Sequence, residues 1–450
     1  KSGLIAFPRQ AGAKMRGGIN QMDADEICKA VEAVDDQMTQ MALNDLPQDD
    51  VYDDDDDDDT EVTAGGRKKR GWMSKVGKGL YRRAGSVAKA VGLVDTPASK
   101  EDEDIRAAML SCRLPTAAGN GGVAIQDPEH AKVCRSVLSL MISQMGRNLL
   151  KGGAVMNVSF PIQCCQPKSI LEIGSLMGGF THLYLPRAAA SKDPVERMKN
   201  TVACFVSAMT LTAGNFLKPL NPILGETLQV DYGDGSKLYM EQTCHHPPVS
   251  AFYLTSPGKD YTVTGHQTFS VTFGYNKMFI TNKGVRVVNF KDGGKISLDF
   301  APDRFLNVFW GEMVHETVGP QLFWDEQNKI RCRLVYGGEG RKNVPTDYFE
   351  GVIERYDPAN PDAEGQVLSN VEGSWVGFCD FDKVRYWDHR ATEKVGMSPP
   401  RSTLPSDSRK RADRNALEAK NFKLAQTEKV RMEEQQRYER KLREAVHGKN

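Results

Sequence analysis

The spacing of hydrophobic and polar positions changes near the middle of the chain. From Leu176 to Leu217 it favours helices, and the apolar stretch Val202 to Leu217 is interrupted by serine, threonine, glycine and asparagine. An interrupted stretch of this kind predicts a buried helix rather than a membrane span. Beyond it, runs rich in Val, Thr, Tyr and Phe are separated by hairpin turn signals at 233–235, 257–260, 282–284 and 292–294.

The strand pattern continues after these hairpins. Further strands are predicted around Trp310 and at 322–324, 330–336, 348–356 and 375–381. Short strands with regular turns predict a large antiparallel meander, and closure into a barrel would remove its exposed edges. The predicted fold class is therefore α+β: a large antiparallel β-barrel with N-terminal helices and a C-terminal helical segment.

The C-terminal segment, about 400–447, is rich in strong helix formers. It has no proline after Pro405 and no glycine until Gly448. Lys429, Glu433 and Arg437 follow one another at i, i+4 and i+8, which places them on one face of a helix. Taken alone, this pattern also fits a ladder of exposed salt bridges, each contributing a fraction of a kcal/mol.

Two N-terminal segments differ sharply in charge. Residues 1–66 are polar, include the aspartate run Asp53–Asp59, and are expected to be largely disordered. In residues 67–95, apolar residues recur about every four positions between lysines and arginines, which is typical of a helix lying on an anionic membrane. An autoinhibitory contact with the aspartate run and a nuclear-type basic tract are the alternatives.

Overall composition argues against two classes of protein. The 59 Lys and Arg residues balance the 59 Asp and Glu residues, so global charge gives no support for nucleic-acid binding. The nine cysteines are irregularly spaced and form no CxxC motif, which favours reduced thiols in the cytoplasm over a disulfide framework. No signal peptide, cofactor or metal site is predicted.

Two adjacent histidines precede two prolines in the segment 241–248, Glu-Gln-Thr-Cys-His-His-Pro-Pro. Strand-like runs flank this segment, so His245 and His246 are expected where a sheet ends or bends. Imidazoles donate hydrogen bonds, and an anionic phosphate is a suitable ligand for them. The alternatives are two surface histidines without a role, or a zinc site with Cys244, for which further ligands at suitable spacing are lacking.

A proline-rich loop, residues 218–226, reads Lys-Pro-Leu-Asn-Pro-Ile-Leu-Gly-Glu. Its prolines and glycine favour a fixed turn from which Lys218 and Asn221 project a cation and an amide. A connector with a solvated lysine is the alternative interpretation.

Three motifs together resemble the oxysterol-binding protein family of lipid-transfer proteins. Residues 241–248 resemble its Glu-Gln-x-x-His-His-Pro-Pro fingerprint, with Thr243-Cys244 in place of the usual Val-Ser. Residues 218–226 resemble its Lys-Pro-x-Asn-Pro-x-Leu-Gly-Glu segment. The C-terminal stretches 404–409, 413–414, 416–418 and 428–437 resemble the family's C-terminal region in the same order. The resemblance assigns residues 130–450 to a lipid-binding domain.

The resemblance implies a specific architecture and binding site. It implies a barrel at about 220–385 around a lipid tunnel, an N-terminal lid at about 130–160 and the C-terminal helical region. It also implies that Glu433 orients two cations within a ring of residues around a phosphoinositide headgroup. That ring consists of Lys218, Asn221, His245, His246, Lys429, Glu433 and Arg437.

The implied function is lipid exchange without catalysis. The protein would extract phosphatidylinositol 4-phosphate and exchange it for a sterol or phosphatidylserine between membranes, in the cytoplasm and with peripheral contact to anionic membranes. One alternative is a phosphoinositide-dependent scaffold or sensor at membrane contact sites. Another is a lipid hydrolase or phosphatase that uses His245 or His246, although the chain has no GxSxG motif.

Overall fold

The computed structural model describes residues 98–145, 162–245, 247–274, 276–338 and 340–447. The acidic region 1–66 and the basic segment 67–95 lie outside these ranges, so the expectations for both stay predictions. The same is true of the part of the predicted lid that follows Met145.

Helices precede and follow the strand-rich part of the chain, as the sequence predicted. They are α1 (Lys100–Ser111), α2 (Pro128–Met145), α3 (Ile170–Gly174), α4 (Thr181–Ala190), α5 (Pro194–Met209), α6 (Ala412–Glu418) and α7 (Phe422–His447). None of the helices in the described ranges combines the length and apolar character that a membrane crossing requires.

Most strands lie between α5 and α6. They are β1 (Val123–Ala124), β2 (Cys165–Ser169), β3 (Lys218–Leu220), β4 (Thr227–Tyr232), β5 (Lys237–His245), β6 (Pro248–Thr255), β7 (Tyr261–Gly274), β8 (Lys277–Asn282), β9 (Val285–Phe290), β10 (Lys295–Leu298), β11 (Asp303–Leu306), β12 (Val314–Thr317), β13 (Gly319–Asp325), β14 (Ile330–Tyr336), β15 (Tyr348–Arg355), β16 (Gln366–Ser374), β17 (Phe378–Phe381), β18 (Val384–Asp388) and β19 (Met397–Ser398).

All the strands except β2 and β3 form one large antiparallel sheet, which confirms the predicted meander. The main ladder runs from β4 through β5, β6, β7, β9, β10 and β13 to β18, each strand pairing with the next. The C-terminal half of β7 pairs with β8, which continues through β11 and β12 to β1. Three of the four predicted hairpin turns, at 233–235, 257–260 and 292–294, connect strands that pair with each other. The turn at 282–284 instead connects β8 and β9, which pair with different parts of β7.

The ladder does not close into a complete ring. Strand β19 pairs with β4, but no pairing between β18 and β19 occurs in the described part of the chain. Between them the chain makes a short 3-10 turn, and the Val395 N–H then donates to the Gly179 carbonyl near α4. This contact holds the connecting segment against the helical layer. The lipid tunnel implied by the resemblance stays a prediction.

Helix α5 packs its apolar side chains against one face of the sheet. It begins with Asp193 as N-cap, whose carboxylate accepts from the Val195 N–H, and with Pro194 at its first position. Val202 and Val206 are fully buried in the main core together with alternate residues of the strands. Burial of each such side chain contributes about 1.5–3 kcal/mol. The buried helix predicted over 202–217 is thus confirmed as far as Met209, where α5 ends, and the rest of that stretch is not helical.

The predicted strand around Trp310 is wrong. Trp310 lies in the loop between β11 and β12. The Asn276 side chain organises this loop, because its Oδ1 accepts from the Phe309 N–H at 2.9 Å and its Nδ2 donates to the Trp310 carbonyl at 3.1 Å. The aromatic and β-branched composition of this segment favoured a strand. In the structure, the Asn276 side chain forms hydrogen bonds with the backbone groups that would otherwise pair with a neighbouring strand.

Candidate functional site

The candidate site is built on a small parallel strand pair beside the main sheet. Strands β2 and β3 place Cys165 opposite Lys218. Helices α6 and α7 cover the pair through a compact apolar cluster of Ile162, Cys165, Leu220, Ala416, Leu417 and Ala425. This packing brings the proline loop and the C-terminal helix together although they are far apart in sequence.

The proline loop is fixed against strand β5. Gly225 has φ +79°, a left-handed conformation that favours glycine, and its N–H donates to the Gln242 carbonyl at 2.9 Å. The Ile223 N–H donates to Glu226 Oε2 at 3.0 Å. The loop therefore lies beside the end of the strand that carries His245.

Glu226 is the centre of a buried polar network. Its side chain is almost completely buried and pairs with Arg411 at 2.8 Å. Ser169 and Ser408 each donate a hydroxyl to Glu226 Oε1 at 2.6 Å. Arg411 also pairs with buried Asp413 and donates to the Asn221 carbonyl at 2.7 Å. The network thus connects the proline loop to the chain segment that leads into α6.

Two lysines from distant parts of the chain lie in the neighbourhood of Cys165. Lys218 Nζ donates to Asn221 Oδ1 at 2.7 Å, and Lys429 Nζ lies 2.6 Å from Glu433 Oε1. Burial raises the pKa of the Cys165 thiol, and the positive charges of Lys218 and Lys429 partly oppose that shift. Both ammonium groups therefore lie near the same buried sulfur.

Helix α7 carries the predicted charged ladder, and its environment changes along the helix. Gln426 Oε1 accepts from the Ile162 N–H at 2.9 Å, which anchors the N-terminal half. Lys429 is 9% exposed, whereas the Arg437 side chain is 57% exposed. Glu433 pairs with Lys429 and, at 3.4 Å, with Arg437. The ladder is therefore only partly a surface feature.

Strand β5 ends at His245, as the sequence predicted. An irregularity in the pairing at Thr243 shifts the strand register before Cys244 and His245, and such bulges redirect the side chains that follow. Gln242 supports this end of the strand, donating to the Cys244 carbonyl and accepting from the Ser250 hydroxyl, both at 2.6 Å. His246 lies outside the described residues.

The arrangement is suited to binding an anion. Lys218 contacts Asn221, and Glu433 contacts both Lys429 and Arg437. His245 lies three residues after Gln242, the strand residue that contacts the proline loop. Ammonium, guanidinium and imidazole donors suit phosphate oxygens. Within the described residues, no group of three or more His, Cys, Asp or Glu side chains is placed to hold a metal ion.

Sequence reasoning did not identify the supporting network around Glu226. Glu226 belongs to the proline-loop motif, and Ser408 and Asp413 to the C-terminal one, but no role for them followed from the sequence. Ser169 and Arg411 gave no signal at all, because serine and arginine are most often surface residues. Only the packing of α6 against β2 shows that they contact the same carboxylate.

One spacing in the chain matches the Cys-x5-Arg loop of cysteine-dependent phosphatases. It joins Cys379 in β17 to Arg385 in β18. Cys379 is fully buried, and burial raises the pKa of its thiol well above the ordinary range. Nucleophilic attack requires an accessible thiolate, so this hairpin does not form a phosphatase loop.

Comparison with known proteins agrees with the motifs. The sequence model of the family described as oxysterol-binding protein matches residues 140–403 and 388–449. This chain belongs to the oxysterol-binding protein family. Members of the family bind and transfer lipids and are not enzymes, as the resemblance implied.

Relatives of the family occur in distant organisms. Oxysterol-binding protein 9 of Dictyostelium discoideum is 32% identical over 342 residues, which cover 72% of this chain and 79% of that protein. Protein KES1 of Mycosarcoma maydis is 24% identical over 64% of this chain and 80% of that protein. The chain thus spans most of the length of both relatives.

Solved structures of the family share the fold. The Osh1 ORD domain in complex with ergosterol has a TM-score of 0.56 at 17% identity and covers 78% of this chain and 90% of that one. The Osh3 ORD of Saccharomyces cerevisiae in complex with PI(4)P has a TM-score of 0.55 at 21% identity, over 73% and 87%. These likenesses confirm the α+β architecture with its large antiparallel sheet.

Proposed function

We propose that this protein extracts phosphatidylinositol 4-phosphate from one membrane and exchanges it for a second lipid, a sterol or phosphatidylserine, at another. The ligands of the Osh1 and Osh3 domains, a sterol and PI(4)P, support this pairing. Such an exchange would take place in the cytoplasm. The protein would contact anionic membranes peripherally, at membrane contact sites.

The observation that carries the proposal is the convergence of Lys218 and Lys429 near Cys165. Each lysine has an adjacent polar group, Asn221 or Glu433, which limits the orientations of its ammonium group. A phosphomonoester carries nearly two negative charges at neutral pH, so two oriented cations suit it better than one. His245, His246 and Arg437 would complete the headgroup site.

Lipid transfer between liposomes tests the proposal. Donor liposomes contain phosphatidylinositol 4-phosphate, and intact lipid in acceptor liposomes is measured by mass spectrometry together with released phosphate. We expect transfer of intact lipid without phosphate release. The variant Lys218→Gln/Lys429→Gln should lose at least 90% of the transfer rate, whereas Lys295→Gln/Lys423→Gln, which changes two exposed lysines, should retain it.

Two other results would contradict the proposal. Liposome binding without transfer would favour the scaffold or sensor function. Phosphate or fatty-acid release that depends on His245 would show that the protein is an enzyme.

A further inference from the structure

Arg286 lies on the face of the sheet that packs against helix α5. Side chains alternate along a strand, so Arg286 shares its face with Val288 and Phe290, both buried in the main core. Its partner across the ladder, Leu298, is fully buried. A guanidinium therefore occupies a position where the neighbouring residues are apolar.

Aromatic rings, rather than carboxylates, surround this guanidinium. Its central carbon lies 4.1 Å from the ring centroid of Phe300 and 5.4 Å from that of Phe205 on α5. In the described part of the chain, no hydrogen bond or ion pair to Arg286 occurs, and its Nε is buried without a hydrogen-bond partner. Cation–π contacts offset only part of the cost of burying the charge.

Other buried arginines of this fold have counter-charges. Arg113 pairs with Asp347 at 2.6 Å, Arg331 with Glu354 at 2.6 Å, and Arg411 with Asp413 at 2.7 Å. Within the described residues Arg286 differs from these three in having no carboxylate. Burial lowers its pKa to about 10, so the group still carries its charge at neutral pH.

Arg286 is not completely enclosed by the protein. Part of the residue is accessible to a water molecule even though the surrounding protein desolvates its guanidinium. A molecule that reaches this side chain would meet aromatic rings and one cationic group with hydrogen-bond donors to offer.

We propose that Arg286 is an interior recognition group for the acidic head of an acyl lipid, whose carboxylate or phosphate oxygens pair with the guanidinium. This inference rests on the proposed exchange function and specifies its second lipid as anionic. A guanidinium binds two anionic oxygens at once through parallel hydrogen bonds. A sterol hydroxyl accepts one such bond and leaves the buried charge without a counter-charge, so the site favours an acidic lipid.

Lipid capture from mixed liposomes tests this proposal. The liposomes contain equal fractions of phosphatidylinositol 4-phosphate, phosphatidylserine, phosphatidic acid, oleate and cholesterol, and lipids that co-purify with the full-length chain are quantified by mass spectrometry. We expect the wild type to capture at least one of the three simpler acidic lipids. Arg286→Met should reduce that capture at least tenfold and leave capture of cholesterol and of the phosphoinositide within twofold.

Three comparisons keep the result interpretable. Arg286→Lys retains the charge but not the paired donors and should give intermediate capture. Arg333→Met, which removes an arginine paired with Glu354 at 2.8 Å, should leave the lipid profile unchanged. Thermal unfolding checks the fold, and Arg286→Met should not lower the midpoint, because replacing an unpaired buried charge with an apolar side chain is neutral or stabilising.

The outcomes separate this proposal from the proposed function. Capture of cholesterol alone beside the phosphoinositide, or equal capture of acidic lipids by wild type and Arg286→Met, would overturn the role of Arg286 and leave phosphoinositide binding intact. Loss of phosphoinositide capture by the wild type would instead overturn the proposed function. Retention of oleate, phosphatidylserine or phosphatidic acid identifies which acidic head the site takes.

Discussion

At the scale of single residues, the histidine pair gives a direct test of the headgroup site. If His245 and His246 bind a phosphate, replacing both with alanine should abolish phosphoinositide extraction and spare the second lipid. Each lost charge-assisted bond should cost about 1.5–3 kcal/mol. His266→Ala changes an exposed histidine on β7 and serves as control in the same extraction assay. Equal loss of both lipids, or loss of neither, would contradict the assignment.

The carboxyl group of Asp299 predicts a pH dependence of stability. Burial raises its pKa to about 7, and its Oδ1 accepts from the Leu322 N–H at 2.7 Å. In the unfolded chain the group titrates near its ordinary value of about 3.9. The stability that the protonated form contributes is therefore complete below about pH 4 and is lost as the pH rises through 7.

Replacing Asp299 with asparagine should remove this dependence. The asparagine side-chain oxygen can still accept the hydrogen bond from the Leu322 N–H, but asparagine has no charged form that burial could destabilise. Between pH 4 and 7 the difference in unfolding free energy, wild type minus variant, should fall with a limiting slope of about 1.4 kcal/mol per pH unit. Urea unfolding at pH 5 and pH 7.5 measures it. A difference that stays constant, or rises with pH, would show that Asp299 is not the responsible group.

The sequence identified residues that contact one another through short, recognisable spacing. Lys429 and Glu433 pair because they are one helical turn apart, and Lys218 and Asn221 pair within one loop. Long-range partners were not predictable. The sequence around Arg411 does not show that this residue pairs with Glu226, because the contact depends on the packing of α6 against β2. In the same way, nothing in the sequence distinguished Arg286 from a solvated arginine.

At the scale of elements, Arg411 connects the proline loop to α6. Removing it would leave Glu226 and Asp413 buried with fewer compensating donors. We expect Arg411→Met to lower the free energy of unfolding by about 3–5 kcal/mol, as is typical when one partner of a buried ion pair is removed. Arg431→Met breaks an exposed pair with Glu428 on α7 and should cost no more than about 1 kcal/mol.

Urea unfolding measures both variants. A cost for Arg411→Met as small as that for Arg431→Met would mean that the buried network contributes specificity rather than stability.

Strands were predictable where turn chemistry punctuates the chain. Turns that contain glycine, asparagine or proline correctly marked the boundaries between β4 and β5, between β6 and β7, and between β8 and β9. The loop at Trp310 was not predictable, because the side chain that organises it, Asn276, lies on the far side of β11 in sequence. The open connection between β18 and β19 likewise depends on a contact with Gly179, near α4.

At the scale of the whole molecule, the two charged N-terminal segments predict a regulated membrane attachment. The aspartate run Asp53–Asp59 and the basic segment 67–95 are close enough in sequence to attract one another. The aspartates would then compete with an anionic membrane for the same lysines and arginines. Screening limits both attractions to about 8 Å at physiological salt. Replacing the seven aspartates with serine should therefore increase binding to anionic liposomes, with a fluorescence blue shift of Trp72.

Liposome sedimentation and tryptophan fluorescence measure this effect. Unchanged binding in the serine variant would remove the autoinhibitory contact. Unchanged binding after deletion of residues 67–95 would remove the membrane helix as well.

The proposed headgroup site draws on two parts of the chain that are synthesised at different times. Lys218 precedes Lys429 on the ribosome by on the order of 10–40 s at ordinary elongation rates. All the strands of the described ranges precede helix α7 in the sequence, so they emerge before it does. A nascent chain therefore presents a sheet and a proline loop before it possesses the second cation. We therefore expect phosphoinositide capture to begin only after helix α7 has been synthesised.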